Sequence, residues 1–228
     1  MVSPPTAELG AFGSNLERCS RGRYKGIVVV KHLFLVRHCE STGQEATAPL
    51  TAVGQTQALC LADYLAMRGV ELLVSSPYTR AQQSIAPLAQ RLGLPVERDP
   101  RLAERVLSAA PLEHWREAIR QTFEELDLAW PGGESSRTAM ARGRAAVDAL
   151  LARPVRVVVV VTHGNLITLI LRSFETQFGF QAWERLSNPD VYCLEGEAER
   201  VRVTRTWGPS VASSGTRQGA HSVMKREK

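Results

Sequence analysis

The segment VRVVVVVTHG, residues 155–164, is the strongest secondary-structure signal in the chain because it contains five consecutive valines. β-branched residues favour strands, and a short run that is apolar at every position is typical of a strand buried on both faces of a parallel sheet. The run ends at Thr162, His163 and Gly164, so polar groups follow the strand directly. The segment therefore predicts the centre of a sheet, with a candidate functional residue at its carboxyl end.

Outward from this segment, strand and helix patterns alternate. Two further apolar runs, HLFLV at 32–36 and ELLVSS at 71–76, predict short buried strands. A helical pattern follows each of them: one helix has Thr51 as its N-cap residue and ends at Gly69, and the next starts at Pro77 and ends at Gly93. Alternation of this kind is typical of parallel strands joined by crossover helices.

The remainder of the chain fits the same architecture. The middle is helical, and a further helix is predicted over residues 165–178, directly after the valine strand. The ending DVYCLEGEAERVRVTRTW, 190–207, contains two alternating strands around EGEA and predicts a hairpin. The predicted fold class is α/β: a three-layer, doubly wound, mostly parallel sheet with helices on both faces and an edge hairpin near the C-terminus.

Length and charge predict one domain with two basic tails. The 228 residues suffice for one α/β domain, and 44% hydrophobic with 22% charged residues excludes a wholly disordered or collagen-like chain. The formal net charge of +5 lies entirely in the ends, +2 in residues 1–25 and +3 in 209–228. We therefore predict a neutral domain over 26–208 between disordered tails, with no nucleic-acid surface on the folded part.

The sequence carries no membrane or targeting signal and no short cysteine motif. No apolar run approaches the roughly 18 residues needed to cross a bilayer, so we expect no membrane contact and a cytoplasmic location. The four cysteines, Cys19, Cys39, Cys60 and Cys193, lack the C-x-x-C spacing of metal and redox sites, which favours free thiols. Five residues separate Cys39 from Glu45, which stands where the Cys-x5-Arg motif of cysteine-based phosphatases requires arginine.

Cationic and imidazole groups follow three of the predicted strands. Arg37 and His38 follow the first strand, Arg80 lies shortly after the second, and His163 ends the valine strand. Since the carboxyl ends of parallel strands share one edge of a sheet, these four side chains should converge there. Guanidinium groups bind phosphate oxygens and a neutral imidazole can attack phosphorus, so the group suits a phosphate dianion.

These segments resemble the histidine phosphatase superfamily, also called the phosphoglycerate mutase-like fold. Its pattern consists of R-H-G-E, P-L-T-x-x-G-x-x-Q-A, S-S-P-x-x-R-A-x-Q-[ST], L-x-E and T-H-G. The matching segments here are RHCE at 37–40, PLTAVGQTQA at 49–58, SSPYTRAQQS at 75–84, RLAER at 101–105 and VTHG at 161–164. The order and spacing of the five together are highly specific.

The resemblance implies a role for each residue. His38 would be the nucleophile that becomes phosphohistidine, Arg37, Arg80 and His163 would hold the phosphoryl oxygens, and Glu104 would protonate the leaving alcohol and then activate water. Gln44 stands where the family often places asparagine as a phosphate ligand. No metal or cofactor is implied, and the partner would be a small phosphorylated substrate. Attack requires neutral His38 and proton donation requires protonated Glu104, so activity should fall on both sides of a pH optimum.

Each residue has a structural alternative. His38 can be a satisfied buried histidine, Arg37 can pair with Glu40, Arg80 can be an exposed helix charge, and His163 can cap the next helix. Glu134, in a GGES turn, competes with Glu104 for the acid role.

Two departures from the family pattern leave function less determined. Cys39 replaces the glycine after the nucleophile; its thiol either lies in a positive field as a reactive thiolate, which we favour slightly, or turns into the core as an inert hydrophobe. The stretches after Glu104 match neither the cofactor-dependent mutases nor the sugar bisphosphate and cobalamin-pathway phosphatases. We therefore predict a metal-independent phosphomonoesterase, with a phosphate-binding pseudoenzyme or a phosphoglycerate mutase-type phosphotransferase as alternatives.

Overall fold

The valine run forms the middle of a six-stranded sheet in the computed structural model, which describes residues 31–197 and 200–208. The strands are β1 (Lys31–Arg37), β2 (Leu72–Ser75), β3 (Val96–Arg98), β4 (Val157–Thr162), β5 (Asp190–Glu197) and β6 (Arg200–Arg205). Their order in the sheet is β3-β2-β4-β1-β5-β6. The first four are parallel, whereas β5 runs antiparallel to β1 and β6 antiparallel to β5.

Within the described residues, six helices connect the strands or pack beside them. They are α1 (Ala52–Ala66), α2 (Thr79–Leu92), α3 (Trp115–Glu124), α4 (Ser136–Leu151), α5 (Gly164–Arg172) and α6 (Phe180–Glu184). Thr51 is the N-cap of α1, as predicted, and its hydroxyl accepts from the amide of Gly54. A short 3₁₀ turn over Pro100–Leu102 leads from β3 to the segment that contains Glu104.

The alternation of side chains along the strands divides the core into two layers. Leu33, Leu35, Val158 and Val160 face one side, where α4 and α5 cover them. Phe34, Val36, Val159 and Val161 face the other side, where α1 and α2 cover them. The three-layer α/β prediction is confirmed, and so is the edge hairpin, because β6 lies at the margin of the sheet.

Some element boundaries differ from the predictions. Helix α2 begins at Thr79 rather than Pro77, because the Ser76 hydroxyl accepts from the Tyr78 amide and holds an extended turn there. Helix α5 ends at Arg172 rather than residue 178, and Arg172 donates to the carbonyls of Thr176 and Phe178 beyond it. The three-residue strand β3 was not predicted, since VER has no apolar run.

Two predictions concern parts of the chain outside this description. The tails, 1–25 and 209–228, and residues 26–30 of the predicted domain lie outside the described residues. Within the described residues, no helix is long and apolar enough to cross a membrane.

Candidate active site

The predicted site residues meet because β1, β2 and β4 are neighbours that end together. Arg37 pairs with Thr162 across β1 and β4, and Ser75 pairs with Val161 across β2 and β4. The pairing continues past the strands, where the amide of His38 donates to the Thr162 carbonyl. The rings of His38 and His163 consequently lie edge to face, with centroids 5.2 Å apart.

His38 is held in one tautomer by two contacts. Its Nδ1 lies 2.6 Å from the Cys39 carbonyl, which can only accept, so Nδ1 carries the proton. Its Nε2 lies 3.1 Å from Nε of Arg80, which can only donate, so Nε2 carries the lone pair. The two contacts require the same neutral imidazole, in which Nε2 is the nucleophilic atom.

Burial keeps this imidazole neutral. His38 is only 6% exposed, and burial, with a smaller effect from the guanidinium groups of Arg80 and Arg37, lowers its pKa to about 3. The hydrogen bond to the Cys39 carbonyl opposes the shift without reversing it. We therefore do not expect protonation of His38 to lower activity near pH 6.5, the ordinary pKa of a histidine. This corrects the sequence-based expectation that His38 supplies the acidic limb of the pH profile.

Arg80 is a buried guanidinium fixed against the ring of His38. It is 1% exposed, its Nη1 donates to the carbonyls of Gln44 and Glu45, and its Cζ lies 4.9 Å from the centre of the Tyr78 ring. Burial lowers its pKa, and the Glu104 carboxylate opposes that shift. The alternative of an exposed helix charge is wrong for Arg80.

Arg37 and His163 each keep a buried nitrogen without a hydrogen-bond partner among the described residues. Arg37 donates from Nη1 to the Leu186 carbonyl at 3.0 Å, while its Nε is unpartnered. His163 contacts the Ser76 hydroxyl through Nε2 at 2.7 Å, while its Nδ1 is unpartnered, and burial holds its pKa well below 6.5. Unpaired buried polar groups are costly, so they suit a ligand with several acceptor atoms.

The side chain of Glu104, from the segment that follows the 3₁₀ turn, contacts the N-terminus of α5. Its Oε1 accepts from the amides of Arg105 and Leu166 at 2.9 and 3.0 Å, and its Oε2 accepts from the amide of Asn165 at 3.1 Å. The carboxylate interacts electrostatically with Arg37 and Arg80, which places it beside the cationic cluster. Oε2, which holds a single amide, has more remaining capacity for a proton or a ligand.

The contacts of Glu134, Glu40 and His163 test the structural alternatives that the sequence left open. Both carboxylate oxygens of Glu134 are bound by Arg142 at 2.7 Å, so that carboxylate is engaged outside the cluster. Glu40 accepts from the hydroxyl of Thr51, and His163 makes no side-chain cap at α5. The side chain of Gln44 is exposed and makes no hydrogen bond within the described residues, so its role as a phosphate ligand stays a prediction.

Two glycines of the quoted motifs are explained by close approaches. A Cβ on Gly54 would lie 2.0 Å from the carbonyl oxygen of Glu40, so only glycine lets α1 approach the loop after His38. A Cβ on Gly164 would lie 3.1 Å from Nε of Arg37, so that glycine leaves room for the guanidinium.

Sequence reasoning missed two residues that hold the main chain of His38 and Cys39. The side-chain Nδ2 of Asn188, in the loop before β5, donates to the His38 carbonyl at 2.8 Å. The hydroxyl of Ser84 accepts from the Cys39 amide and donates to the Arg80 carbonyl. Ser84 was detectable as the last residue of SSPYTRAQQS, whereas Asn188 carries no local signal.

Cys39 is part of the core, which overturns the slightly favoured prediction of a reactive thiolate. Its side chain is fully buried against Phe34, Val36 and Leu50, and burial raises its pKa to about 12. Cys39 lies two residues beyond the end of β1, and there its thiol packs into the core layer that α1 and α2 cover. The residue acts as a small hydrophobe in the space beside the nucleophile.

We expect Cys39 to resist alkylation and mild peroxide in the folded protein, because almost no thiolate forms at neutral pH. Mass spectrometry after native labelling should find Cys39 unmodified, while Cys60, which is partly exposed, provides the positive control. Denaturation should expose both thiols. Native modification of Cys39 with loss of activity, prevented by added phosphate, would contradict this burial.

The chain is similar to known proteins in both sequence and structure. The sequence model of the Histidine phosphatase superfamily (branch 1) matches residues 33–207. Over 157 residues, 61% of this chain and 72% of its relative, the chain is 32% identical to the Yersinia enterocolitica protein named "Probable phosphoglycerate mutase GpmB". Over 138 residues, 53% of this chain and 61% of its relative, it is 35% identical to glucosyl-3-phosphoglycerate phosphatase of Mycobacterium tuberculosis.

A solved structure agrees with the sequence match. The mycobacterial glucosyl-3-phosphoglycerate phosphatase in complex with inorganic phosphate superposes with a TM-score of 0.65 at 30% identity, covering 81% of this chain and 100% of that one. The residues matched by the family model include Arg37, His38, Arg80, Glu104 and His163. The chain belongs to the histidine phosphatase superfamily.

Proposed function

We propose that the protein is a phosphomonoester hydrolase that forms a phosphohistidine on Nε2 of His38 and needs no metal for the reaction. The observation that carries the proposal is the fixed tautomer of a buried neutral histidine, with its lone pair directed at Arg80. Such a histidine is a nucleophile at neutral pH without a general base. Two guanidinium groups and a second neutral histidine surround it, as transfer of a dianionic phosphoryl group requires.

The substrate's phosphoryl group would first displace Arg80 from Nε2. Arg80 would then donate to phosphoryl oxygens, as would Nε of Arg37 and Nδ1 of His163, which are unpartnered in the described residues. For His163 this requires the tautomer in which Nε2 accepts from the Ser76 hydroxyl. Fixed donors of this kind stabilise charge in the transition state without reorganising.

Transfer then proceeds in two balanced steps. Nε2 of His38 bonds to phosphorus as the bond to the leaving alcohol oxygen breaks, and that oxygen takes a proton from Glu104. The hydrogen bond from Nδ1 to the Cys39 carbonyl stabilises the positive charge on the phosphorylated ring. Water, deprotonated by Glu104, next attacks phosphorus, which releases inorganic phosphate and neutral His38.

Glu104 must carry a proton when the substrate is bound. In the free protein its carboxyl group interacts electrostatically with Arg37 and Arg80. Proton donation would occur from Oε2, which accepts one amide instead of two.

Replacing Glu104 with glutamine should slow hydrolysis of alkyl phosphates by about 10² to 10⁴-fold, because general acid catalysis is lost. A p-nitrophenyl ester has a good leaving group and should show a smaller loss, followed by accumulation of the phosphoenzyme. With alkyl substrates kcat should fall as pH rises in the parent and become nearly flat in the variant. Steady-state kinetics between about pH 5 and pH 8 measure both effects.

Glu134→Gln is the matched control, because this carboxylate is bound to Arg142. It should leave the difference between alkyl and aryl esters unchanged. An equal loss of kcat/KM for both esters in Glu104→Gln would assign the leaving-group proton to another residue, because this ratio excludes the later hydrolysis of the phosphoenzyme.

Hydrolysis must also be separated from phosphoryl transfer between sugars or acids, since the relatives carry phosphatase and mutase names. The full chain should be incubated with a panel of phosphate monoesters that includes 3-phosphoglycerate and glucosyl-3-phosphoglycerate. Release of inorganic phosphate, undiminished by a chelator, supports the hydrolase. Interconversion of 2- and 3-phosphoglycerate would favour a mutase, and phosphate binding without turnover would favour a pseudoenzyme.

A further inference from the structure

Three side chains with metal-binding atoms meet at the end of the sheet opposite the catalytic cluster. His32 is near the start of β1, and Cys193 and Glu195 lie two residues apart on β5, so both point to the same face. In the antiparallel register His32 is directly opposite Glu195, and Phe34 is opposite Cys193. An imidazole, a thiol and a carboxylate therefore form a triangle across two strands.

Hydrogen bonding explains this triangle poorly. Nδ1 of His32 lies 3.5 Å from Oε1 of Glu195 and 3.8 Å from Sγ of Cys193, and Sγ lies 3.9 Å from Oε1. Each distance is long for a strong hydrogen bond between these atom types. The three distances are similar, so no two of the atoms pair with each other and exclude the third. The three atoms therefore surround a common centre.

The triangle has the dimensions of a zinc site. A point equally distant from the three atoms, in their plane, lies about 2.2 Å from each of them. This distance is close to the lengths of zinc bonds, which are about 2.0 to 2.2 Å for Zn–N and Zn–O and about 2.3 Å for Zn–S. In tetrahedral zinc these bonds place ligand atoms about 3.3 to 3.6 Å apart, a few tenths of an ångström closer than here. Small side-chain rotations provide that change.

We propose that His32, Cys193 and Glu195 bind a divalent ion of the zinc class, with water as the fourth ligand. One nitrogen, one sulfur and one carboxylate oxygen match the ligand preferences of Zn²⁺, while the thiol disfavours Mg²⁺ and Ca²⁺. Binding releases the thiol proton to solvent, and the thiolate and carboxylate then neutralise the two charges of the ion.

The surroundings allow an ion to enter and leave. The side chains of His32 and Glu195 are 39% and 38% exposed, whereas Cys193 is buried beneath them. Two cations are near: Arg68 packs over the Phe34 ring and acts electrostatically on Cys193, and Arg202 is opposite Glu195 on β6. Neither makes an ion pair with Glu195 among the contacts of the described residues, so that carboxylate is available as a ligand.

The ion would be structural rather than catalytic. His32 precedes His38 by six residues along an extended strand, a separation of roughly 20 Å. The ion would join β1 to β5, the two strands whose opposite ends carry His38 and the loop with Asn188. This role agrees with a phosphoryl transfer that uses no metal, and it is independent of whether the protein hydrolyses phosphate esters.

Co²⁺ titration of the chelator-treated full chain tests the site, because cobalt bound to thiolate gives a charge-transfer band that oxygen and nitrogen ligands do not. We expect one equivalent of Co²⁺ to produce the band, one equivalent of Zn²⁺ to remove it, and Zn²⁺ to raise Tm by several degrees. Cys193→Ser should abolish the band, and Glu195→Gln should weaken Zn²⁺ binding at least tenfold in calorimetry.

Cys60→Ser is the matched control, since this thiol is partly exposed and outside the triangle. It should keep the band and the Tm increase. Glu195→Gln keeps the size of the side chain, so it tests the site even if Cys193→Ser, which alters a buried residue, fails to fold. Absence of the band in the parent, its persistence in Cys193→Ser, or unchanged Zn²⁺ affinity in Glu195→Gln would each overturn the proposal.

Discussion

Replacing His38 with alanine is expected to lower kcat for every phosphate monoester by more than about 10⁴-fold, because no other group at the strand ends can form the covalent intermediate. The neighbouring hydroxyls and thiol are engaged: Ser75 bonds the Ser76 carbonyl, Ser76 contacts His163, and Cys39 is buried in the core. Single-turnover and steady-state assays with an aryl phosphate measure the loss.

Trapping the intermediate distinguishes loss of the nucleophile from general damage to the site. Rapid quenching of the parent with labelled substrate should place phosphate on His38, in a bond that is labile in acid and stable in base. His114→Ala, which changes an exposed histidine, should retain both the label and the rate. Label on Ser75, Ser76 or Cys39, or undiminished labelling of His38→Ala, would refute the mechanism.

Replacing Arg80 with alanine should reduce kcat by about 10² to 10³-fold, or about 3 to 4 kcal/mol, if its guanidinium stabilises the transition state as an oxyanion donor does. Arg80 is buried and bonded to Nε2 of His38, so its removal also leaves the nucleophile without its positioning contact. Lysine should restore only part of the rate, because it supplies charge without two parallel donors.

Arg91→Ala is a suitable control, since Arg91 lies on the same helix, is partly exposed and pairs with Asp63. The parent and both variants should be compared by kcat, KM and inhibition by inorganic phosphate. Unchanged kinetics in Arg80→Ala would remove Arg80 from the phosphate site, even though it contacts His38.

Much of the fold was predictable because its signals are local. The valine run is apolar at every position, and α1 carries its cap signal at Thr51, so both were found from neighbouring residues. The site was predictable in outline for a related reason. His38 and His163 each follow a strand directly, and parallel strands end at the same edge of a sheet.

The direction of a side chain beside a strand end was not predictable in the same way. Cys39 could face the arginines or the core, and only the packing of α1 and α2 on that face of the sheet decided for the core. For the acid role the sequence favoured Glu104 through the L-x-E motif and left Glu134 as a competitor. In the folded protein the Glu104 carboxylate accepts from backbone amides at the start of α5, whereas the Glu134 carboxylate accepts from Arg142.

Sequence alone thus determined the layers, the order of most elements and the family, because each depends on the periodicity or the motif of one continuous segment. Tertiary structure decided the tautomer of His38, the contact of Asn188 with its carbonyl and the meeting of His32 with Cys193, which are 161 residues apart. These contacts depend on which strands pair and in what register. Register is set by the burial of whole sheet faces, so no single segment of the chain encodes it.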